Sequence, residues 1–173
     1  MYGLLKGKKG IIFGALNDQS IAWKVAERCH EEGAEFILSN APIAMRMGEI
    51  DALAQKTNSE VIGADATSME DLGKLFDAAI AKFGKIDFIL HSIGMSVNVR
   101  KGKHYTDINY DWLEKGWDVS AVSFHKVMKT AWEKTKDVAN DIWEKTKDVA
   151  ENVKDKTEDM IDDVKDEYRD RTH

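Results

Sequence analysis

Short apolar runs alternate with stretches of helical period through the first 130 residues. Gly10-Ile-Ile-Phe-Gly14 reads as a short buried strand with glycine at both ends. Ser20–Glu32 follows with apolar positions at Ile21, Val25, Ala26 and Cys29, and Gly33 is placed to stop that helix. Glu35–Ser39 predicts a second strand, and Met45–Lys56 a second helix. Glu60–Ala64 predicts a weaker third strand. Ser68 caps a helix, with Asp71 three residues on, that runs to about Phe83. Ile86–Leu90 is a fourth strand, and a polar loop, Met95 to Asp107, leads into a helix that runs on toward the C-terminus. Strand and helix at this spacing imply right-handed βαβ units, a parallel sheet and helices on both of its faces.

The last 43 residues follow a different rule. They read AWEKTKDVAND, IWEKTKDVAEN, VKDKTEDMIDD and VKDEYRDRTH, an 11-residue repeat. Apolar residues fall at its first position (Ala131, Ile142, Val153, Val164), its eighth (Val138, Val149, Met160) and its ninth (Ala139, Ala150, Ile161). Those offsets mark one face of an α-helix whose stripe drifts slowly to the right. The stripe is narrow and its residues mostly small, so such a helix is marginal in water on its own.

Composition sharpens the division. All 12 glycines and the one proline, Pro42, precede residue 130, whereas residues 131–173 carry 9 basic and 14 acidic side chains. The expected organisation is a unit over residues 1–130 and a charged helical repeat over 131–173. The single cysteine, Cys29, excludes an internal disulfide framework. The N-terminus has no secretory apolar core and no run reaches the roughly 20 apolar residues of a membrane span, so a cytoplasmic protein is expected. A net charge of -6 argues against nucleic acid, and the acidic repeat does not suit an anionic membrane surface.

The first strand-to-helix junction is the one place where the residues themselves suggest chemistry. Gly14 closes the strand, Ala15–Gln19 form a loop, and Ser20-Ile21-Ala22 open the helix. A helix start there would aim backbone N–H groups and a positive dipole end at a phosphate. His91, His104 and His125 are not spaced as metal ligands, and Cys29 reads as packed core. Trp112, Trp117, Trp132 and Trp143 read as core or interface packing rather than as a ligand groove.

The strings KGKKGIIFGALNDQSIAWKVAERCHEEGAEFILSNAP, DATSMEDL, LHSIGMSVNVRKGKHYTD and KGWDVSAVSFHKVMKTA, in that order, resemble the NADH-dependent enoyl-acyl carrier protein reductase family. These are divergent short-chain dehydrogenase/reductase proteins of bacterial fatty-acid synthesis. The resemblance covers about residues 2–131. It implies a truncated Rossmann-like, doubly wound α/β fold of about four parallel strands in the order 3-2-1-4, followed by a long C-terminal amphipathic helix. It also implies NAD (NADH) as cofactor. Gly14, Ala15, Ser20, Ile21 and Ala22 match the phosphate turn, Asp65 and Ala66 the pair beside the adenine, and Ser92, Ile93 and Gly94 the turn along the nicotinamide ribose. Asn40, after Ser39, stands where an acid would select the ribose hydroxyl of NAD, so NADH over NADP rests on the resemblance.

The family's reaction reduces the trans-2 double bond of an acyl thioester, using a Tyr-x6-Lys pair. Here only Tyr2 and Lys9 have that spacing, and they precede the first strand. The expectation is therefore a nicotinamide-dinucleotide-binding half without catalysis and without an acyl thioester partner. Self-association through the long helix or the edge of the fourth strand stays open. The repeats resemble those of group 3 late-embryogenesis-abundant proteins, so the alternative is a non-enzymatic helical stress-protection or interaction protein, natural or engineered, carrying a vestigial head.

Overall fold

The computed structural model describes the chain except residues 1, 47, 99–103, 105 and 172–173, and except several side chains of the C-terminal helix from residue 142 onward. The strands are β1 (Lys9–Phe13), β2 (Glu35–Ser39), β3 (Glu60–Val61) and β4 (Phe88–His91). They form one parallel sheet, as the alternation predicts, in the order β3-β2-β1-β4 that the resemblance implies. The helices are α1 (Ile21–Glu31), α2 (Pro42–Met45), α3 (Ile50–Thr57), α4 (Met69–Phe83) and α5 (Tyr110–Trp117). A π-helical turn (Asp118–Val122) then leads into α6 (Ser123–Arg171). Two compact units result, residues 1–134 and residues 135–173.

Both faces of the sheet are covered, which is why β1 and β2 are apolar without alternation. Ile12, Phe36 and Leu38 point to one side, under α1 and α3, where Ala22, Trp23, Ala26, Ile50 and Leu53 are buried. Ile11, Phe13 and Ile37 point to the other, under Leu72, Leu75 and Phe76 of α4 and Val127 of α6. Burying side chains of this size stabilises by roughly 1.5–3 kcal/mol apiece.

Local signals set most boundaries. Ser68 Oγ accepts the Asp71 N–H at 3.2 Å, and Gly84 ends α4 at φ +73°. Gly33 stops α1 at φ +89°. Several expectations need correction. The single helix over Met45–Lys56 is broken between α2 and α3, because the chain there docks on the β1–α1 loop. The Glu49 N–H donates to the Leu16 carbonyl at 2.8 Å, and a Cβ on Gly48 would stand 2.6 Å from that same oxygen. The third strand is shorter than expected, although pairing continues irregularly through Ile62 N–H to Leu38 O and Ala64 N–H to Asn40 O, both at 3.0 Å. The fourth strand starts two residues later than expected and takes in His91.

The buried face of α1 is also rotated from the one its aliphatic residues suggest. Ala22, Trp23 and Ala26 are buried, while Ile21 is exposed and Val25 and Cys29 are half-buried. Burial pushes the Cys29 thiol up. Trp117, Trp132 and Trp143 are exposed rather than packed in a core, and Trp112 is half-buried. Within α6, the stripe positions 142, 149, 150, 153, 160, 161 and 164 lie outside the described side chains. No helix among the described residues is long and apolar enough to cross a membrane.

Candidate functional site

In a parallel sheet every strand ends on the same edge, so the segments after β1, β2, β3 and β4 meet there. Gly14 is the centre of that meeting. Its φ is +92°, and a Cβ would stand 2.0 Å from the Ser92 carbonyl oxygen. Only glycine can bring the turns after β1 and β4 so close. Its N–H donates to the Ser39 carbonyl at 3.0 Å, so one residue ties three strand ends together. Asn40 joins next: its Nδ2 donates to the Ala15 carbonyl at 3.3 Å, and its Oδ1 accepts the Ala41 N–H at 2.9 Å. Both ends of the Asn40 amide brace the edge. Beside it the Ser39 hydroxyl is fully buried and has no partner among the described residues.

The α1 N-terminus faces this edge uncapped. Ser20 Oγ turns back into the loop, accepting the Leu16 N–H at 3.1 Å and donating to the Asn17 carbonyl at 2.5 Å. Among the described residues no side chain caps the first-turn N–H groups of Ile21 and Ala22, in contrast to the starts of α4 and α5, which Ser68 and Asn109 cap. Ala15 and Ala22 are fully buried, so their contribution to a ligand is backbone. Asp65 spends its Oδ1 on the Thr67 N–H and Oγ1, at 2.8 and 2.7 Å, which shapes the turn carrying the buried Ala66. Ser92 and Ile93 are half-buried and Gly94 is exposed.

The structure thus brings Gly14, Ala15, Ser20, Asn40 and Ser92 directly together, with Asp65 and Ala66 attached through the Ala64–Asn40 bond. An open apolar groove of about 640 Å³ lies elsewhere, along the flank of α1 from Ser20 and Ile21 to Cys29, with Leu4 and Leu5 on its other wall. It shares only Ser20 and Ile21 with the edge. Tyr2 and Lys9, the pair with the right spacing, belong to the opposite end of the sheet. Lys9 opens β1 and forms an ion pair with Glu35.

The comparisons with known proteins agree with this geometry. The family model described as Enoyl-(Acyl carrier protein) reductase matches residues 14–163, which take in β2, β3, β4 and three of the repeats. The chain belongs to the enoyl-acyl carrier protein reductase family. It is 35% identical over 130 residues to enoyl-[acyl-carrier-protein] reductase [NADH] 1 of Rhizobium meliloti, covering 75% of this chain and 47% of that one. FabI from Alistipes finegoldii, solved in complex with NADH, is 61% identical with a TM-score of 0.74, over 78% of this chain and 48% of that one. The Anaplasma phagocytophilum reductase, solved with NAD, is 26% identical with a TM-score of 0.67, over 74% and 49%. The chain spans about half the length of the relatives it matches.

The residues at the edge fit a dinucleotide. An uncapped helix start suits a pyrophosphate, and a buried, unpartnered hydroxyl stands at the end of β2. Sequence reasoning passed over the residues that hold the edge in place. Lys126 donates to the Thr67 carbonyl at 3.0 Å and to Asp118 Oδ1 at 2.9 Å, Ser120 meets the Met95 backbone, and Ser123 meets His91. As lysine and serines within a helix they carry no local signal. Glu32 was passed over as well. Buried near the N-terminus, it accepts the Tyr2 and Leu4 N–H groups at 3.0 and 3.3 Å and pairs with Arg28 at 3.0 Å.

Proposed function

We propose that the unit over residues 1–134 binds NAD(H) across its carboxyl edge, and that residues 1–173 by themselves do not reduce an enoyl thioester. The observation that carries the first part is the seating of Gly14 against the Ser92 carbonyl, which gathers the turns after β1, β2 and β4 into one surface. The N–H groups at Ile21 and Ala22, with Gly14, Ala15 and Ser20 shaping the loop, would hold the pyrophosphate. Asn40, Asp65 and Ala66 would border the adenosine half, and Ser92, Ile93 and Gly94 the nicotinamide ribose. The bound nicotinamide would supply a hydride. NADH is favoured over NADP only by family, since β2 ends in Ser39-Asn40 without an acid.

The second part rests on proton supply. Reduction of the double bond needs a donor for the enolate, and the one Tyr-x6-Lys pair within these residues stands at the amino end of the sheet, with Lys9 engaged by Glu35. The repeat helix is a separate segment in this reading and contributes no group to the site.

Titration of the purified chain with NADH, followed by nicotinamide fluorescence, tests the binding. Saturable binding is expected, with no NADH consumed when a crotonyl thioester is added. Absence of binding at millimolar NADH would overturn the first part, and steady thioester-dependent oxidation the second.

A further inference from the structure

The π-helical turn, Asp118–Val122, does more than connect two helices. π turns are rare and cluster where function needs an irregular helix. This one, with the first residues of α6, touches both of the turns assigned above to opposite ends of the dinucleotide. On one side Ser120 Oγ accepts the Met95 N–H at 3.0 Å and lies 3.3 Å from the Met95 carbonyl, to which it can donate. Ser123 Oγ lies within hydrogen-bond distance of the Val119 carbonyl, 2.7 Å, and of His91 Nε2, 2.8 Å. The His91 ring is held edge-on to Phe124 with centroids 5.5 Å apart, and burial keeps the imidazole below its usual range. His91 and Met95 bracket Ser92–Gly94, and both are anchored to the same helical segment.

On the other side stands Lys126, three-quarters buried. Its ammonium donates to the Thr67 carbonyl at 3.0 Å and to Asp118 Oδ1 at 2.9 Å. Thr67 is the residue that closes the Asp65 turn. A charged donor shared between a backbone carbonyl and a carboxylate makes two of the stronger hydrogen bonds available to a side chain.

We infer that Lys126 is a positioning residue that couples the Asp65–Thr67 turn to the Ser92–Gly94 turn through Asp118 and the π turn, so that the two ends of the cofactor site are set as one piece. The inference deepens the NAD(H) reading and rests on it for the ligand, while the coupling itself is a property of the protein alone. The Lys126–Thr67 bond joins residues 59 apart in sequence, and the serine contacts join residues 25 and 32 apart. Among the described residues no other side chain bridges Thr67 to the π turn.

The test uses the full chain with K126M, which keeps the apolar stem and removes the ammonium, and K126R, which restores a charged donor. Loss of a charge-assisted bond of this kind should weaken NADH binding about tenfold in K126M, with recovery to within about threefold in K126R. The decisive readouts are remote from Lys126. The emission of bound NADH should move toward that of the free cofactor, because the nicotinamide end loosens. Exchange of the Met95 amide, measured without cofactor, should accelerate about tenfold as its bond to Ser120 opens more often. Weaker NADH binding with unchanged emission and unchanged Met95 exchange would reduce Lys126 to a local brace on Thr67 and overturn the coupling. So would the absence of any change. Should the unaltered chain fail to bind NADH, the cofactor reading falls, and Met95 exchange in K126M still decides the coupling: acceleration sustains it and an unchanged rate overturns it.

Discussion

Residues 123–134 and residues 136–148 belong to the same helix and have similar helix-forming residues, yet they are held by different physics. In the first stretch Ser123, Val127 and Thr130 are buried, Lys126 reaches Thr67, and Lys134 pairs with Asp77 at 2.7 Å. In the second stretch Val138 is half-buried, its other described side chains are exposed, and Asp141 and Lys145 form a local ion pair. One stretch is a helix because a sheet needs covering, the other because its residues favour helix and repeat with helical period. The contrast shows that an apolar stripe of the right period establishes helix without establishing a core.

The sharpest way to break the comparison is to place the same charge in both stretches. Val127→Asp puts an unpaired carboxylate against Ile11, Phe13 and Leu75, and should cost about 4 kcal/mol or unfold the unit outright. Val138→Asp should leave the unfolding midpoint within about 0.5 kcal/mol of the parent. Denaturant unfolding followed by Trp23, on the buried face of α1, reads both. Equal effects would mean that the repeat is as much a part of the cooperative unit as Val127.

Gly14→Ala is next in size. The added methyl cannot coexist with the Ser92 carbonyl, and φ +92° is strained for any L side chain. Strain and overpacking together cost about 3 kcal/mol. The turns after β1 and β4 should separate, with loss of NADH binding in calorimetry. Retained affinity would show that this approach is not needed by the ligand.

Acid should distinguish the packed unit further. Burial pushes the Glu32 carboxyl up, but the Leu4 and Tyr2 N–H bonds and the Arg28 charge outweigh it and hold the group below its usual range. A depressed folded pKa means stability that is present above the unfolded value, about 4.3, and lost as pH falls through the folded one. The residue 2–5 segment should therefore loosen below about pH 4. His91 acts at higher pH. Burial disfavours its imidazolium, so the unfolded chain takes up a proton that the folded chain resists, and stability should decline as pH falls below about 6.5. Thermal unfolding against pH should lose the upper inflection in His91→Gln and the lower one in Glu32→Gln.

The parts of this molecule that were legible in its sequence are those decided locally. Element type and the parallel sheet followed from the alternation of short apolar runs with helical stretches, the strand order from the family resemblance, the α4 cap from Ser68 and Asp71, and the α1 stop from Gly33. What was missed is decided by contacts between residues far apart in sequence. The break before α3 depends on the Leu16 carbonyl, and the buried face of α1 on where the sheet presents Ile12 and Phe36. The β1–α1 loop showed its chemistry because a glycine and a helix start are local marks. Yet Gly14 proves to serve the Ser92 carbonyl first, a partner 78 residues away. Lys126 gave no mark at all, since a lysine between His125 and Val127 looks like any solvated position.

The smallest effect tests the repeat itself. Asp141 and Lys145 stand one turn apart, 3.7 Å between charged atoms, with about four-fifths of each side chain in water. Such a pair contributes about 0.3–0.5 kcal/mol to a helix and is screened by salt. Lys145→Glu replaces attraction with repulsion, so local helix content around residues 138–148 should fall in carbon chemical shifts at low salt and recover near 1 M. Residues 1–134 should not respond. Their α6 turns are fixed by Val127 and Lys134, and a few tenths of a kcal/mol in the repeat is far below what holds them. A shift in the melting of the packed unit would show that the repeat transmits its helicity into the sheet, and the division drawn between the two stretches would have to be given up.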